Sequence, residues 1–130
     1  MKILVTGGAV YIGSTLIRQL LERGYEVNVF DNLQFGGEAV IDLLPNKAFQ
    51  LTHGDIRNKK QVREALKNID CIVHLAALVG DPACKLSPKA TEDINYKGTK
   101  ILCDLAKNAG IKRFIQISTC SNYGISKINN

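Results

Sequence analysis

Short apolar runs alternate with amphipathic stretches along the whole chain. Residues 3–6 form a β-type run, and residues 12–23 place Ile12, Leu16, Ile17, Leu20 and Leu21 on one helical face. Gly24 closes that helix, and residues 26–30 supply a second strand. Residues 36–44 read as a short helix ended by Pro45, and residues 48–52 as a third strand. Asn58, with Gln61 three residues later, is a start signal for a helix over 59–68. Residues 70–75 are a near-continuous apolar run, the pattern of a strand covered on both faces. Ser87 followed by Pro88 opens a long helix that ends near Asn108, Ala109 and Gly110, and residues 112–118 make a fifth strand.

Strands alternating with helices predict an α/β fold, a doubly wound parallel sheet with helices on both faces. Right-handed crossovers with one reversal after the third strand give the spatial order 3-2-1-4-5. A ligand is then expected at the carboxyl ends of strands 1 and 4, where the order switches. Residues 1–130 read as a single domain without internal repeats or low-complexity segments, and the stretch after Gly124 carries no clear pattern.

Composition narrows this picture only slightly. No apolar run approaches the ~18 residues that would span a bilayer. The four cysteines form no C-x-x-C pair, so no metal site is expected; Cys71 and Cys103 read as core thiols, and a reduced, cytoplasmic setting as the default. The net charge of +5 is densest at Arg57, Lys59, Lys60, Arg63 and Lys67. Without interleaved aromatics, that cluster reads as a solvated helix face rather than a nucleic-acid surface.

The residues with candidate chemistry lie at strand ends. Gly7 sits where the first strand must turn sharply, and Gly13 would let the following helix pack close to the sheet. Between them Val10, Tyr11 and Ile12 open that helix, where free N–H groups and the helix dipole favour a pyrophosphate. Val10 stands where a third glycine would be expected, and its branched side chain would meet the pyrophosphate. Were its backbone angle also unusual, strain of roughly 1–3 kcal/mol would lower affinity about tenfold to a hundredfold. Asp31 ends the second strand at the distance from Gly7 where a carboxylate binds adenosine ribose hydroxyls; a strand-end turn built with Asn32 is the lesser, compatible alternative. No arginine follows Asp31 at once to receive a 2′-phosphate, which favours NAD over NADP. Asp55 and Ile56 could meet the adenine amino group and ring, or belong to a plain turn. Leu75, Ala76 and Ala77 are small enough at the end of the fourth strand to admit a ribose and diphosphate, and Asn95 is a polar candidate on the long helix.

Taken in order, residues 6–14, Asp31 with Asn32, 53–57, 74–77, 94–99 and 118–124 resemble the extended short-chain dehydrogenase/reductase family. Within it the likeness is to NAD-dependent nucleotide-sugar epimerases and dehydratases. The resemblance implies a Rossmann-like domain with NAD held by Gly7, Gly13, Asp31, Asp55, Ile56 and residues 75–77. It also implies Thr119 as the hydroxyl that hydrogen-bonds the reacting sugar oxygen. The family's acid/base tyrosine and its lysine, four residues apart on a helix, are expected some two dozen residues further on. Tyr123 and Lys127 have that spacing, but Gly124 disfavours a helix there and the segment matches the preceding motif instead. Cys120 and Ser121 follow Thr119 where a dehydratase would carry acidic partners, which leans toward epimerase ancestry.

The resulting expectation is an NAD-binding domain without turnover by itself, the sugar-binding portion lying outside these residues. The alternatives are a non-catalytic nucleotide-binding or protein-interaction module, and one half of a split enzyme. An open edge at the fifth strand, or the unpartnered long helix, predicts a homo-oligomer. Neither a nucleic acid nor a membrane is expected as a partner.

Overall fold

The computed structural model describes residues 1–80 and 87–119. Five parallel strands form one sheet in the order β3-β2-β1-β4-β5, with β1 at Lys2–Thr6, β2 at Glu26–Asp31, β3 at Phe49–His53, β4 at Cys71–His74 and β5 at Arg113–Gln116. The predicted order is the observed one. Helix α1 (Tyr11–Glu22) connects β1 to β2, a 3-10 helix (Glu38–Leu43) precedes β3, and α2 (Lys59–Ala65) leads to β4. Before β5, three helical segments, Pro88–Thr91, Glu92–Gly98 and Thr99–Asn108, run on from one another and are together called α3.

Side chains alternate across each strand and divide the core in two. Ile3, Val5, Val27 and Val29 face α1 and the 3-10 helix, packing on Ile17 and Val40. Leu4, Phe30 and Ile72 face the opposite side, against Val62 and Leu66 near α2 and Leu102 and Ala106 of α3. Buried on both faces, β1 and β4 fix the floor of the sheet where its order reverses.

Several local expectations are corrected. The segment read as a short helix over 36–44 winds as a 3-10 turn. The helix predicted over 59–68 stops at Ala65, because the chain turns at Asn68 through a positive φ of 59°, a conformation asparagine tolerates. The long helix is interrupted by a π segment at Glu92–Gly98. Ser87 stands before Pro88, but its side chain makes no capping hydrogen bond; its carbonyl accepts from Thr91 instead. Cys71 is buried and its thiol is pushed up by that burial, whereas Cys103 lies exposed on α3 rather than in the core.

Asn58 caps α2 as predicted, its Oδ1 accepting from the backbone N–H of Lys60 (3.1 Å) and Gln61 (3.3 Å). Replacing it by alanine should lower stability by about 1 kcal/mol, read as a reduced urea midpoint with an unchanged slope. An unchanged midpoint would mean that water replaces the cap at no cost. Strand β5 lies at the sheet edge among the described residues, with Ile115 40 % exposed and Ile117, just after it, 49 % exposed. No helix among the described residues is long and apolar enough to cross a membrane.

Candidate functional site

A cleft of about 930 Å³ opens at the carboxyl ends of β1 and β4, at the predicted switch point. Every residue singled out above as a cofactor or catalytic candidate borders it, from Gly7 in the first turn to Thr119 after β5.

Gly7 leaves β1 with φ of +69°, the left-handed region, while its N–H donates to the Phe30 carbonyl at 3.0 Å. A Cβ on Gly7 would fall 2.5 Å from Ala76 Cα, so glycine is required by contact as well as by angle. One on Gly13 would fall 2.5 Å from the Cα and carbonyl oxygen of Gly8, and this lets the first turn of α1 sit directly on the glycine loop. Helix α1 then starts without a side-chain cap and without an acidic residue in its first turn. The helix geometry leaves the N–H groups of Tyr11, Ile12 and Gly13 without partners inside the helix, and all three residues border the cleft.

Val10 occupies the position before α1 with φ −126° and ψ −169°, ordinary extended backbone. The condition for backbone strain is therefore not met, and the tenfold to hundredfold penalty attached to it does not apply. What remains is the bulk of the side chain at the mouth of the cleft.

Asp31 builds the strand-end turn and still borders the cleft. Its Oδ1 accepts from Leu33 N at 2.8 Å, closing a strand-end turn, and its Oδ2 accepts from Ala9 N at 3.0 Å, tying the glycine loop to β2. A carboxylate oxygen accepts two hydrogen bonds, so each retains capacity toward the cleft. Asn32 has a local role, accepting from Gln34 N at 3.1 Å.

Asp55 takes the turn that its sequence context allowed and adds a pairing with Arg57. Its carboxylate accepts from Arg57 N (2.8 Å), Nε (2.9 and 3.0 Å) and Nη2 (2.5 Å), and the Arg57 guanidinium holds it below the usual carboxylate range. Gln61 reaches back past Asn58 to accept from Asp55 N at 3.0 Å. Ile56 is 6 % exposed and packs against Gly98, where a Cβ would meet its Cδ1 at 2.7 Å. It borders the cleft from the core rather than lying over it.

Asn95 sits in the π segment and spends its amide on the backbone. Its Oδ1 accepts from Leu78 N at 2.7 Å and its Nδ2 donates to Leu78 O at 2.8 Å, clamping the loop after β4. A single π turn inside an α-helix is frequent at functional sites. Thr119 borders the cleft on an exposed stretch after β5, while Cys84, Cys120, Ser121, Tyr123 and Lys127 lie outside the described residues. Sequence reasoning missed Gln34 and Phe35, which border the cleft from the loop after β2, and Thr99, which borders it from α3. The described residues contain no cluster of potential metal ligands.

The profile of the NAD-dependent epimerase/dehydratase family matches residues 3–129. The chain belongs to that family. Among individual relatives, it is 40 % identical over 131 residues to a UDP-glucose 4-epimerase of Klebsiella pneumoniae, covering 95 % of this chain and 93 % of that one. It is 32 % identical over 130 residues to the sterol demethylase protein B of Methylococcus capsulatus, covering 97 % of this chain and 37 % of that one. A dTDP-glucose 4,6-dehydratase of Streptomyces venezuelae, solved with NAD bound, superimposes with a TM-score of 0.90 at 33 % identity, over 98 % of this chain and 42 % of that one. The chain thus spans nearly all of one relative and about two-fifths of the other two. As a family member it has the Rossmann-like fold of an epimerase/dehydratase nucleotide domain.

Proposed function

We propose that this chain is the NAD-binding portion of a nucleotide-sugar epimerase or dehydratase. The observation that carries the reading is the joint placement, around one cleft, of the uncapped start of α1, the tight Gly7 turn and the Asp31 carboxylate. The exposed N–H groups of α1 suit a diphosphate, and Asp31 suits the ribose hydroxyls while repelling a 2′-phosphate. Gln34, in the same loop, brings no positive charge that would reverse that preference. Ala76 and Ala77 leave room beside the turn for the second ribose. The Asp55 pair with Arg57 keeps the carboxylate ionised and held at the adenine end of the cleft.

Bound in such a site, NAD would supply a reversible hydride acceptor for a sugar carbon. This chain's own part is to hold and orient the dinucleotide, and to offer the Thr119 hydroxyl as a hydrogen-bond partner to the reacting sugar oxygen. No base for that oxygen is assigned within this sequence, so a steady-state assay of the chain with UDP-glucose or dTDP-glucose is expected to show no turnover. Measurable epimerisation or dehydration would overturn that expectation.

Val10 favours a second reading, a family module whose nucleotide site has lost affinity. Calorimetric titration of NAD separates the two. With ordinary backbone at position 10, Val10→Gly relieves side-chain crowding only, and it should tighten NAD binding by about tenfold, ~1.4 kcal/mol. Glycine is also a better helix N-cap than valine, so the variant should fold. Micromolar binding by the parent supports the cofactor reading. Binding by the glycine variant alone makes Val10 the lesion in an intact site, and binding by neither supports the module reading.

A further inference from the structure

His74, the last residue of β4, is 1 % exposed, and each of its ring nitrogens meets a threonine hydroxyl. Nδ1 lies 2.5 Å from Thr6 Oγ1, and Nε2 lies 2.8 Å from Thr99 Oγ1. The ring also stands edge-on to Phe114 of β5, with centroids 6.1 Å apart. One side chain thereby joins β1, β4, α3 and β5.

Each element it joins continues directly into the cleft. Thr6 precedes Gly7, and its carbonyl accepts from Leu75 N at 2.9 Å. His74 precedes Leu75 and Ala76, and the Ala76 backbone is the surface that excludes a Cβ from Gly7. Thr99 borders the cleft and follows the π segment in which Asn95 grips Leu78. A neutral imidazole has one donor and one acceptor, and a hydroxyl can serve as either. The three groups therefore form a continuous chain, Thr6 to His74 to Thr99, in which both ring nitrogens are satisfied without an ion.

We infer that His74, held between Thr6 and Thr99, is a positioning residue of the cleft: it sets the spacing between the glycine turn on the sheet and the π-bearing helix. This inference rests on the dinucleotide reading of the cleft only for its effect on NAD; the lock itself is a property of the fold. Rigid spacing matters because the backbone N–H groups that would hold a diphosphate must be fixed before it arrives. With Thr99 removed from the chain, the Nε2 side of the ring is left buried without its partner, and the neighbouring backbone opens more readily.

The test uses Thr99→Val, nearly isosteric, with Thr99→Ser as the rescue and Thr6→Val as an independent break at the other end. Circular dichroism establishes that each is folded. Amide hydrogen exchange then reads Gly7 N–H, which donates to Phe30 O, and Leu75 N–H, which donates to Thr6 O. Exchange at both sites is expected to rise about tenfold in Thr99→Val and Thr6→Val and to return in Thr99→Ser. NAD titration of the same proteins should show about tenfold weaker binding in the two valine variants and parental affinity in the serine variant. Parental exchange at Gly7 and Leu75 in both valine variants would overturn the lock. Raised exchange with parental NAD affinity would overturn its positioning role, leaving an ordinary structural bond. Absence of NAD binding in the parent counts against the proposed function alone, and the exchange data still decide the lock.

Discussion

Gly7→Ala is expected to be the most damaging single-methyl change in this chain, lowering stability by about 3 kcal/mol and removing dinucleotide binding. Two costs combine. The φ of +69° places any residue with a Cβ in the left-handed region, at about 1 kcal/mol. The new methyl would also lie 2.5 Å from Ala76 Cα and 2.6 Å from Ala76 N. Both are backbone atoms of the loop leaving β4 and cannot swing aside as a side-chain tip could. Relief requires β1 and β4 to part at the Leu75 to Thr6 hydrogen bond, at the floor of the cleft. Gly24→Ala separates the two costs, because Gly24 has φ of +78° and nothing within 4 Å of where its methyl would sit. Urea unfolding should show a loss of about 1 kcal/mol for Gly24→Ala against about 3 for Gly7→Ala. Equal losses would mean that the contact with Ala76 adapts and that the turn angle alone makes glycine necessary.

Much of this site is legible in the sequence because its parts are imposed by backbone. A strand entering a helix through Gly7 and Gly13, and a carboxylate at the end of the next strand, follow from chain direction and the right-handed crossover. The sheet order follows from the same rule. Side-chain commitments are less legible. For Asp55 the sequence allows a ligand group or a plain turn, and for Asn95 a polar candidate on a helix; it does not show that Asp55 pairs with Arg57 or that Asn95 grips the Leu78 backbone. Such pairings depend on tertiary distances that no linear pattern carries. The interruption of α3 is equally hidden, since residues 92–98 include nothing that forces a π turn; Gly98 there serves the close approach of Ile56.

His74 is the case where a signal exists. A histidine closing an otherwise apolar strand, in a sheet where β4 must neighbour β1, demands polar partners for two nitrogens. Thr6 ends β1 in the same register, and the pairing of Thr6 with His74 is what the fold shows. The third member, Thr99, requires knowledge of how α3 packs. Cys103 departs from its core reading for a related reason: the apolar face of α3 is carried by Leu102 and Ala106, and the intervening position turns outward.

Below neutral pH, the same histidine should govern the stability of the fold. Burial lowers the His74 pKa from its ordinary 6.5 to about 4. The folded chain therefore resists a proton that the unfolded chain accepts, and the sign follows from linkage. The contribution to stability is complete above pH 6.5, declines as pH falls through the window between 6.5 and about 4, and is fully lost below it. The total is about 3 kcal/mol. Asp55 and Asp93, held low by Arg57 and Lys97, act in the same direction but only at more acid pH, below their ordinary 3.8. The window above pH 4 thus isolates the histidine from these two carboxylates. Urea unfolding at pH 7 and pH 4.5 should show a loss of about 2 kcal/mol or more in the parent, and a much smaller one in His74→Gln, which cannot take up the proton. A parent that loses less than about 1 kcal/mol would show that Thr6 and Thr99 both rotate to accept from an imidazolium. The ring would then keep its two partners in either charge state, and the lock would hold through the acid range instead of failing in it.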